Sequence, residues 1–227
     1  HGDRARTSKP SGDGPQAFGR VNRMAMTRSG ETDEDDHLLA RIAAGDRAAL
    51  ARLIDRHGRG LRIFAARYLG GNADAEDVVQ DVFVAVWKHA HRFDPLRARA
   101  TTWLYRIAAN RCIDMRRRRN LRAFLGLEDV QESLADDRPD AEAHVSARAE
   151  ISAVRQGLLL LPARQRMALL LRVVADFDVP SIAEVMGTSR GSVEQLLVRA
   201  RRSLRGHIEK PQNDTMPTGG PHRDTGR

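Results

Sequence analysis

Apolar residues recur at three- and four-residue spacing in two stretches of this chain, and this spacing constrains its fold more than any other feature. The first stretch begins at Glu34 and is interrupted by the turn-forming sequences "AGD" at 44–46 and "GGN" at 70–72. The second covers about 149–207. Neither stretch shows the strict apolar–polar alternation of a β-strand. The pattern therefore predicts an all-α fold, with the later helices at about 74–91, 100–119, 149–161, 163–175, 180–186 and 189–207.

An acidic segment separates the two helical stretches. Between 128 and 142, seven acidic residues stand against Arg138 alone, which is typical of a flexible linker. The first 32 residues are rich in Gly, Ser, Pro, Arg and Asp, the segment from 211 is rich in Gly and Pro, and neither shows apolar periodicity. The sequence thus predicts two small helical domains at 34–120 and 149–210, an acidic linker at 121–148, and disordered segments at 1–33 and 211–227.

Charge and composition narrow the classes of function. The net charge of +8 favours a polyanionic partner, nucleic acid before an anionic membrane. No apolar run approaches the ~20 residues that span a bilayer, so we expect no membrane insertion. The single cysteine, Cys112, excludes an internal disulfide framework and fits a reducing cytoplasm, the predicted location. His89 and His91 point to different sides of a helix, and no Cys–His cluster or phosphate-binding loop is present. We therefore expect no enzyme activity, no metal and no cofactor.

The third predicted helix carries two kinds of surface. An apolar stripe that includes Val78, Val82 and Val86 is expected to be buried. Asp77, Gln80 and Asp81 lie on another flank, beside the apolar Val84 and Trp87. The acidic residues of the first turn are explained by the helix dipole, but Gln80 and Asp81 come a turn later. The flank is therefore a candidate for protein docking, with a solvated helix face as the alternative.

The fourth predicted helix ends in arginines. Eight arginines fall between Leu96 and Asn120, with Asp114 as the only acid among them. One or two cations would complement the helix dipole, whereas eight favour a phosphate-binding surface. Phe93 and Trp103 flank a polar segment and could stack on unpaired bases, although Trp103 could equally be a core residue.

The last helices follow the helix-turn-helix pattern. In "VPSIAEVMGTSRGSVEQLLVRARRSLR" a short helix is followed by a turn at Gly187 and a long basic helix whose N-cap candidate is Ser189. A structural helical hairpin is the alternative. If the pattern binds DNA, one set of side chains could reach base edges and phosphates. This set comprises Arg190, Ser192, Glu194, Gln195, Arg199 and Arg202.

Three segments together resemble bacterial RNA polymerase sigma factors of the extracytoplasmic-function group of the sigma-70 family. They read "DAEDVVQDVFVAVWKHAHRFDP", "TTWLYRIAANRCIDMRRRRN" and "LPARQRMALLLRVVADFDVPSIAEVMGTSRGSVEQLLVRARRSLR". The resemblance covers roughly residues 34–208. It implies a dissociable sigma factor that binds core RNA polymerase and directs initiation at promoter DNA, under the control of an anti-sigma factor.

The resemblance also implies a role for each group of residues. The docking flank, Asp77, Gln80, Asp81, Val84 and Trp87, would bind core polymerase. The promoter −10 element would be read and melted by Phe93, Arg97, Arg99, Trp103, Arg106, Asn110 and Arg117. The −35 element would be read by Arg190, Ser192, Glu194, Gln195, Arg199 and Arg202.

The chain departs from the family pattern in two places. Ala100 stands where the family often has an aromatic residue. In the recognition helix, Glu194 and Leu196 stand where the family often has lysine and arginine. These differences affect the expected promoter sequence more than the role in DNA binding. Two other functions remain open from the sequence. The chain could be a stand-alone helix-turn-helix regulator, or a sigma-like decoy that titrates an anti-sigma factor. The linker could also permit a compact arrangement of the two domains, with modest mutual contact. In that arrangement the basic helices near Arg117 and Arg199 would be covered by each other's domain or by an anti-sigma partner.

Overall fold

The computed structural model describes residues 28–126 and 145–209, with side chains for 34–126 and 152–207. The predictions for 1–27, 127–144 and 210–227 lie outside the described residues, as does most of the predicted linker. Every regular element within the described ranges is a helix, which confirms the all-α fold class.

The helices form two bundles. The N-terminal bundle contains α1 (Arg28–Ala43), α2 (Arg47–Leu69), α3 (Asn72–His89), a 3₁₀ turn (Ala90–Arg92) and α4 (Ala100–Phe124). The C-terminal bundle contains α5 (Val145–Leu160), α6 (Ala163–Val173), α7 (Val179–Met186) and α8 (Arg190–Glu209).

Three helix boundaries differ from the prediction by four residues or more. α1 begins at Arg28, inside the segment predicted to be disordered, and its acidic start "ETDEDD" suits a helix amino terminus. α4 continues to Phe124, inside the predicted linker, because no helix breaker follows the arginine run before Gly126. α5 begins at Val145, also inside the predicted linker, in the helix-favouring sequence "SARAE".

The N-terminal bundle is built around α2. Its first turn is capped by Asp46, whose carboxylate accepts hydrogen bonds from the Ala48 and Ala49 amides at 2.8 and 3.1 Å. Its last turn ends at Gly70, which adopts a left-handed backbone with φ of 87°. One buried stripe of α2 meets the buried stripes of α3 and α4, and these include Leu53, Leu61, Phe64, Val78, Val82, Val86, Leu104, Ala108 and Cys112.

A buried carboxylate fixes α1 on α2. Asp35 is 1% exposed, and its two oxygens lie 2.8 Å from Arg56 Nε and 2.8 Å from His57 Nε2. Glu34 adds a 2.7 Å contact to the Arg56 guanidinium. A buried carboxylate is tolerated only with such partners. These partners are more than twenty residues away in the chain, so helical periodicity does not predict them.

The C-terminal bundle contains the predicted helix-turn-helix. Ile182 and Val185 of α7 are buried, as are Val193 and Leu197 of α8, so the two helices pack as the sequence predicts. The turn between them is made by Gly187, whose φ of 58° is the left-handed conformation that glycine adopts without strain.

The two bundles touch directly. Helices α5 and α6 pack on α2, and α7 packs on α4. The ring of Tyr105 on α4 meets the ring of Phe177, just before α7, edge to face at 5.2 Å. The side chain of Arg166 on α6 is buried against α2. This buried contact is closer than the modest one predicted.

Burial predicts how stability depends on alkaline pH. Burial raises the pKa of the Cys112 thiol to about 12, while the unfolded chain releases that proton near ~8.5. Below the pKa of the unfolded chain the thiol is protonated in both states. As pH rises from that value towards the pKa in the native protein, only the unfolded chain releases the proton, so the free energy of unfolding falls. Between pH 8 and 10.5 we expect the thiol to lower the free energy of unfolding by about 2–3 kcal/mol.

Urea unfolding of Cys112→Ala and of the wild type at the two pH values measures this effect. The substitution leaves a small cavity, but the cost of that cavity is the same at both pH values and cancels in the comparison. The variant should lose less stability than the wild type. Equal losses in the two proteins would show that Cys112 does not titrate as its burial predicts.

Candidate protein and nucleic-acid interfaces

The predicted docking residues share one accessible side of α3. Asp77, Gln80 and Asp81 are exposed, Val84 is 49% exposed and Trp87 is 37% exposed. The five positions fall within about 120° around the helix axis at ~100° per residue. The buried stripe of α3 lies on the other side of the helix, so this flank is not needed for the fold.

An apolar groove runs along this flank. It has a volume of about 590 Å³ between α2 and α3. It is lined by Arg47, Leu50, Ile54, Val79, Gln80, Phe83, Val84 and Trp87. The three α2 residues were missed by the sequence analysis. Leu50 and Ile54 are one helical turn apart, next to the buried stripe of α2, and that spacing was the available signal.

Two acidic residues of α3 face arginines of α4. Asp81 lies 3.8 Å from Arg111, and Asp74 lies 3.9 Å from Arg119, all with partly exposed side chains. Exposed pairs of this kind contribute only about 0–1 kcal/mol each. Asp81 can therefore leave Arg111 and contact a partner protein at a small cost in free energy.

The predicted −10 residues of α4 lie on one stripe. Trp103, Arg106, Asn110 and Arg117 fall within about 60° around the helix axis at ~100° per residue. Arg106, Asn110 and Arg117 are exposed, and Trp103 is half-buried. The amide of Asn110 is thus presented between two guanidinium groups, and the exposed carboxylate of Asp114 lies one turn further along the same side of the helix.

An aromatic pair closes the upper end of this stripe. The rings of Phe93 and Trp103 lie 5.6 Å apart at 50° to each other, and both also pack against the core. The two roles considered for Trp103 are therefore compatible. Its indole contributes to packing, while its half-exposed surface remains free for stacking.

The loop before α4 is organised by Asp94. Its carboxylate accepts a hydrogen bond from the Leu96 amide at 2.9 Å and lies 3.4 Å from Arg97 Nε. Leu96 is 94% exposed at the tip of the loop, and Arg97 and Arg99 are exposed beside it. The sequence analysis missed Leu96, although a lone apolar residue in a polar segment was a visible signal.

One arginine of the run differs from the others. Arg116 is half-buried, and its guanidinium lies 6.0 Å from the centre of the Tyr68 ring, whereas Arg117, Arg118 and Arg119 are exposed. The last three remain candidates for phosphate contact, while Arg116 contributes to packing.

The start of α8 is held by a serine pair. Ser189 Oγ accepts a hydrogen bond from the Ser192 amide at 3.2 Å and donates to Ser192 Oγ at 2.9 Å. Ser192 is half-buried, while Arg190 and Glu194 are exposed. Ser192, which is predicted to read a base, is thus also hydrogen-bonded to the N-cap residue Ser189.

The outer side of α8 is basic. Gln195, Arg199 and Arg202 are exposed and face away from the buried stripe of Val193 and Leu197. An exposed basic stripe on the second helix of a helix-turn-helix has the geometry that enters a major groove. All six residues predicted for the −35 element lie on α8.

No helix in the described part of the chain is long and apolar enough to cross a membrane. The described residues also contain no group of three or more His, Cys, Asp and Glu side chains arranged to hold a metal ion.

Comparison with known proteins matches both bundles. Residues 53–122 match the model of the Sigma-70 region 2 family, and residues 151–204 match that of Sigma-70 region 4. The RNA polymerase sigma factor NccH of Alcaligenes xylosoxydans is 36% identical over 180 residues, which cover 78% of this chain and 96% of NccH. The ECF RNA polymerase sigma factor SigM of Mycobacterium tuberculosis is 33% identical over 172 residues, which cover 75% of this chain and 82% of SigM.

One solved structure is similar to this chain over most of the length of both proteins. The structure of CnrH in complex with the cytosolic domain of CnrY superimposes with a TM-score of 0.59 and 30% sequence identity. The match covers 78% of this chain and 97% of that one. The likeness therefore includes both helical bundles.

Proposed function

Since the chain belongs to the extracytoplasmic-function (ECF) group of the sigma-70 family, we propose that it is a dissociable initiation subunit that binds core RNA polymerase and directs it to a two-part promoter. The observation that carries this proposal is the presence of three separate accessible faces. These are the grooved flank of α3, the basic stripe of α4 and the outer side of α8.

The flank of α3 would dock on core polymerase. The groove offers an apolar floor that a helix of the polymerase can fill, and Asp77, Gln80 and Asp81 form a polar rim that would fix its orientation. Apolar burial supplies most of the affinity in such interfaces, and the rim charges contribute mainly specificity and association rate.

The stripe of α4 would act on the −10 element. Arg97, Arg99, Arg106 and Arg117 would bind phosphates, and Asn110 would contact a base. Unstacking a base costs a few kcal/mol, so melting requires a site that binds the extruded base better than the stacked one. The half-exposed ring of Trp103 and the exposed Leu96 of the preceding loop would supply that site.

The outer side of α8 would read the −35 element. Gln195 can pair with adenine and Glu194 can accept from cytosine, while Arg199 and Arg202 are placed for phosphates. The partly engaged Ser192 would contribute less than its neighbours.

The polymerase, not this chain, would supply the bond chemistry and its metal ions, and we propose that the chain works in the cytoplasm. An anti-sigma factor is proposed as a further partner. Its support is the solved structure of the relative CnrH, which contains the cytosolic domain of a second protein.

The alternative functions make different predictions. A stand-alone regulator would bind its promoter tightly without polymerase. A decoy would need neither the exposed loop arginines Arg97 and Arg99 nor the exposed Arg106 and Arg117. The presence of these arginines favours a protein that binds promoter DNA.

Charge reversal on α3 tests the docking role. Asp77→Lys combined with Asp81→Lys should weaken binding to purified core polymerase at least tenfold, about 1.4 kcal/mol, because two rim charges would become repulsive. The matched control is Asp55→Lys combined with Asp114→Lys, which changes the net charge equally at two other exposed positions. The docking role is wrong if both double variants bind core polymerase equally and retain wild-type helicity.

Asn110→Ala tests the base-reading role. Loss of one base contact should reduce discrimination among −10 variants by about 1–3 kcal/mol at the affected base, without a uniform loss of affinity. Asn120→Ala is the matched control, since it removes the same amide from an exposed position at the far end of α4. Affinities of the polymerase complex for a panel of −10 sequences give the answer. Unchanged discrimination in Asn110→Ala would contradict a base contact at this residue.

A further inference from the structure

A buried arginine joins the two bundles. Arg166 on α6 is 6% exposed, and its Nη1 donates to the backbone oxygen of Tyr68 at 2.7 Å. Its Nη2 donates to the oxygens of Leu159 and of Leu161, the latter at 3.2 Å. Tyr68 lies in the last turn of α2, so the guanidinium sits at the carbonyl end of a helix in the other bundle.

The surroundings of Arg166 explain how the cation tolerates burial. The negative end of the α2 dipole and the Tyr68 ring, 5.7 Å away, both favour a positive charge. Burial nevertheless lowers the pKa of Arg166, and its Nε finds no hydrogen-bond partner among the described residues. The gain from these contacts and the cost of desolvation oppose each other, so the net stabilisation by the contact is smaller than the gain alone.

The rest of the seam is narrow and closely packed. The Tyr105 and Phe177 rings meet across it, and Gly70 lies directly under Leu159. A β-carbon at Gly70 would lie 3.0 Å from Leu159 Cδ2, so the Leu159 side chain would have to shift, and the φ of 87° at Gly70 itself disfavours any other residue. Leu159 is itself partly exposed at the edge of the seam.

A carboxylate of the C-terminal bundle also faces the loop of the N-terminal bundle. Hydrogen bonds from Ser181 are the main cause of the lowered pKa of Asp178, and the nearby cation of Arg99 adds to it. Arg99 is one of the residues proposed to bind a −10 phosphate. In this arrangement an acidic group therefore lies within electrostatic range of it.

The observed arrangement cannot engage both promoter elements at once. α4 packs on α7 and α7 packs on α8, and packed helix axes lie about 8–10 Å apart, so α8 is within about 20 Å of α4. The −35 and −10 elements are about 25 base pairs apart by their labels, or about 85 Å along B-form DNA at ~3.4 Å per pair. The bundles must separate before α4 and α8 meet their elements.

We propose that Arg166 is an intramolecular latch, which holds the free protein closed through the carbonyl end of α2, and that binding of core polymerase shifts the chain to an open arrangement. The proposal rests on the proposed function, because only a two-part promoter requires the bundles to separate. Closure would act by fixing the distance between the two DNA-binding faces.

The latch does not act by covering those faces. Asn110 and Arg117 on α4 and Gln195 and Arg199 on α8 are all exposed in the closed arrangement. Of the two predicted ways of covering the basic helices near Arg117 and Arg199, coverage by the other domain is therefore wrong, and coverage by an anti-sigma partner stays a prediction. The seam is formed by α2 and α4 of one bundle and by α5, α6 and α7 of the other, so the outer side of α8 is not part of it.

Distance measurements between two spin labels test the latch. Ala51 on α2 and Glu184 on α7 are exposed and can each be replaced by cysteine. The native Cys112, the only cysteine of the chain, is fully buried and should remain unlabelled. Pulsed electron paramagnetic resonance would then report the distribution of distances between the bundles in the full-length chain.

Three variants are compared in this labelled background without polymerase. Arg166→Gln removes the buried cation. Arg164→Gln is the matched control, since it removes the same charge from an exposed position on the same helix. Leu159→Glu places a charge at the edge of the seam and keeps the test decisive if Arg166→Gln loses helicity.

The wild type and Arg164→Gln should show one short distance. Arg166→Gln and Leu159→Glu should raise the ratio of long to short distances by about tenfold or more, as expected for loss of a buried charged contact. A wild type with mainly long distances would overturn the proposal. The proposal would also be overturned if Arg166→Gln showed the same distances as Arg164→Gln. If Arg166→Gln is unfolded, the same comparison is made with Leu159→Glu.

Addition of core polymerase separates this proposal from the proposed function. The labelled wild type should bind, seen by co-migration, and its distance should lengthen. Binding with an unchanged short distance would overturn the latch and leave the initiation role intact. Absence of binding would count against the initiation role, while the distances in the free variants would still decide whether Arg166 holds the bundles together.

Discussion

The N-terminal bundle depends on one constraint, the burial of a single apolar stripe of α3 and of α4 against α2. Leu53 and Phe64 of α2, Val82 of α3 and Leu104 of α4 are all fully buried, and α2 packs on both α3 and α4. Each outer helix buries only part of its circumference there, so the docking flank of α3 and most of the −10 stripe of α4 stay accessible. Each of these two surfaces is proposed to bind a different partner.

Local periodicity predicted much of this arrangement. The apolar spacing of α3 and α4, the turn at Gly187 and the packing of Ile182 and Val185 on α8 follow from residues close in the chain. The docking flank and the −10 stripe were also visible, since a helix reveals its faces through spacing alone. The family followed from the order of these motifs.

Long-range contacts could not be predicted in the same way. The pairing of Asp35 with Arg56 and His57, the groove wall formed by Ile54, and the seam at Arg166 each join residues from different helices. A buried arginine is especially hard to foresee, because its carbonyl partners are common to every residue and leave no mark on the sequence. Helix ends were misplaced where propensity allowed a helix to continue without a breaker, as at Phe124.

The central claim is that this chain makes core RNA polymerase specific for a promoter. The most direct measurement is transcription in vitro by purified core polymerase, with and without the chain, from a pool of templates randomised upstream of the start site. Sequencing of the transcribed templates should reveal two separated sequence elements that are enriched only when the chain is present. Tight binding of DNA by the chain alone, with no transcription above that of core polymerase, would contradict the claim and favour a stand-alone regulator.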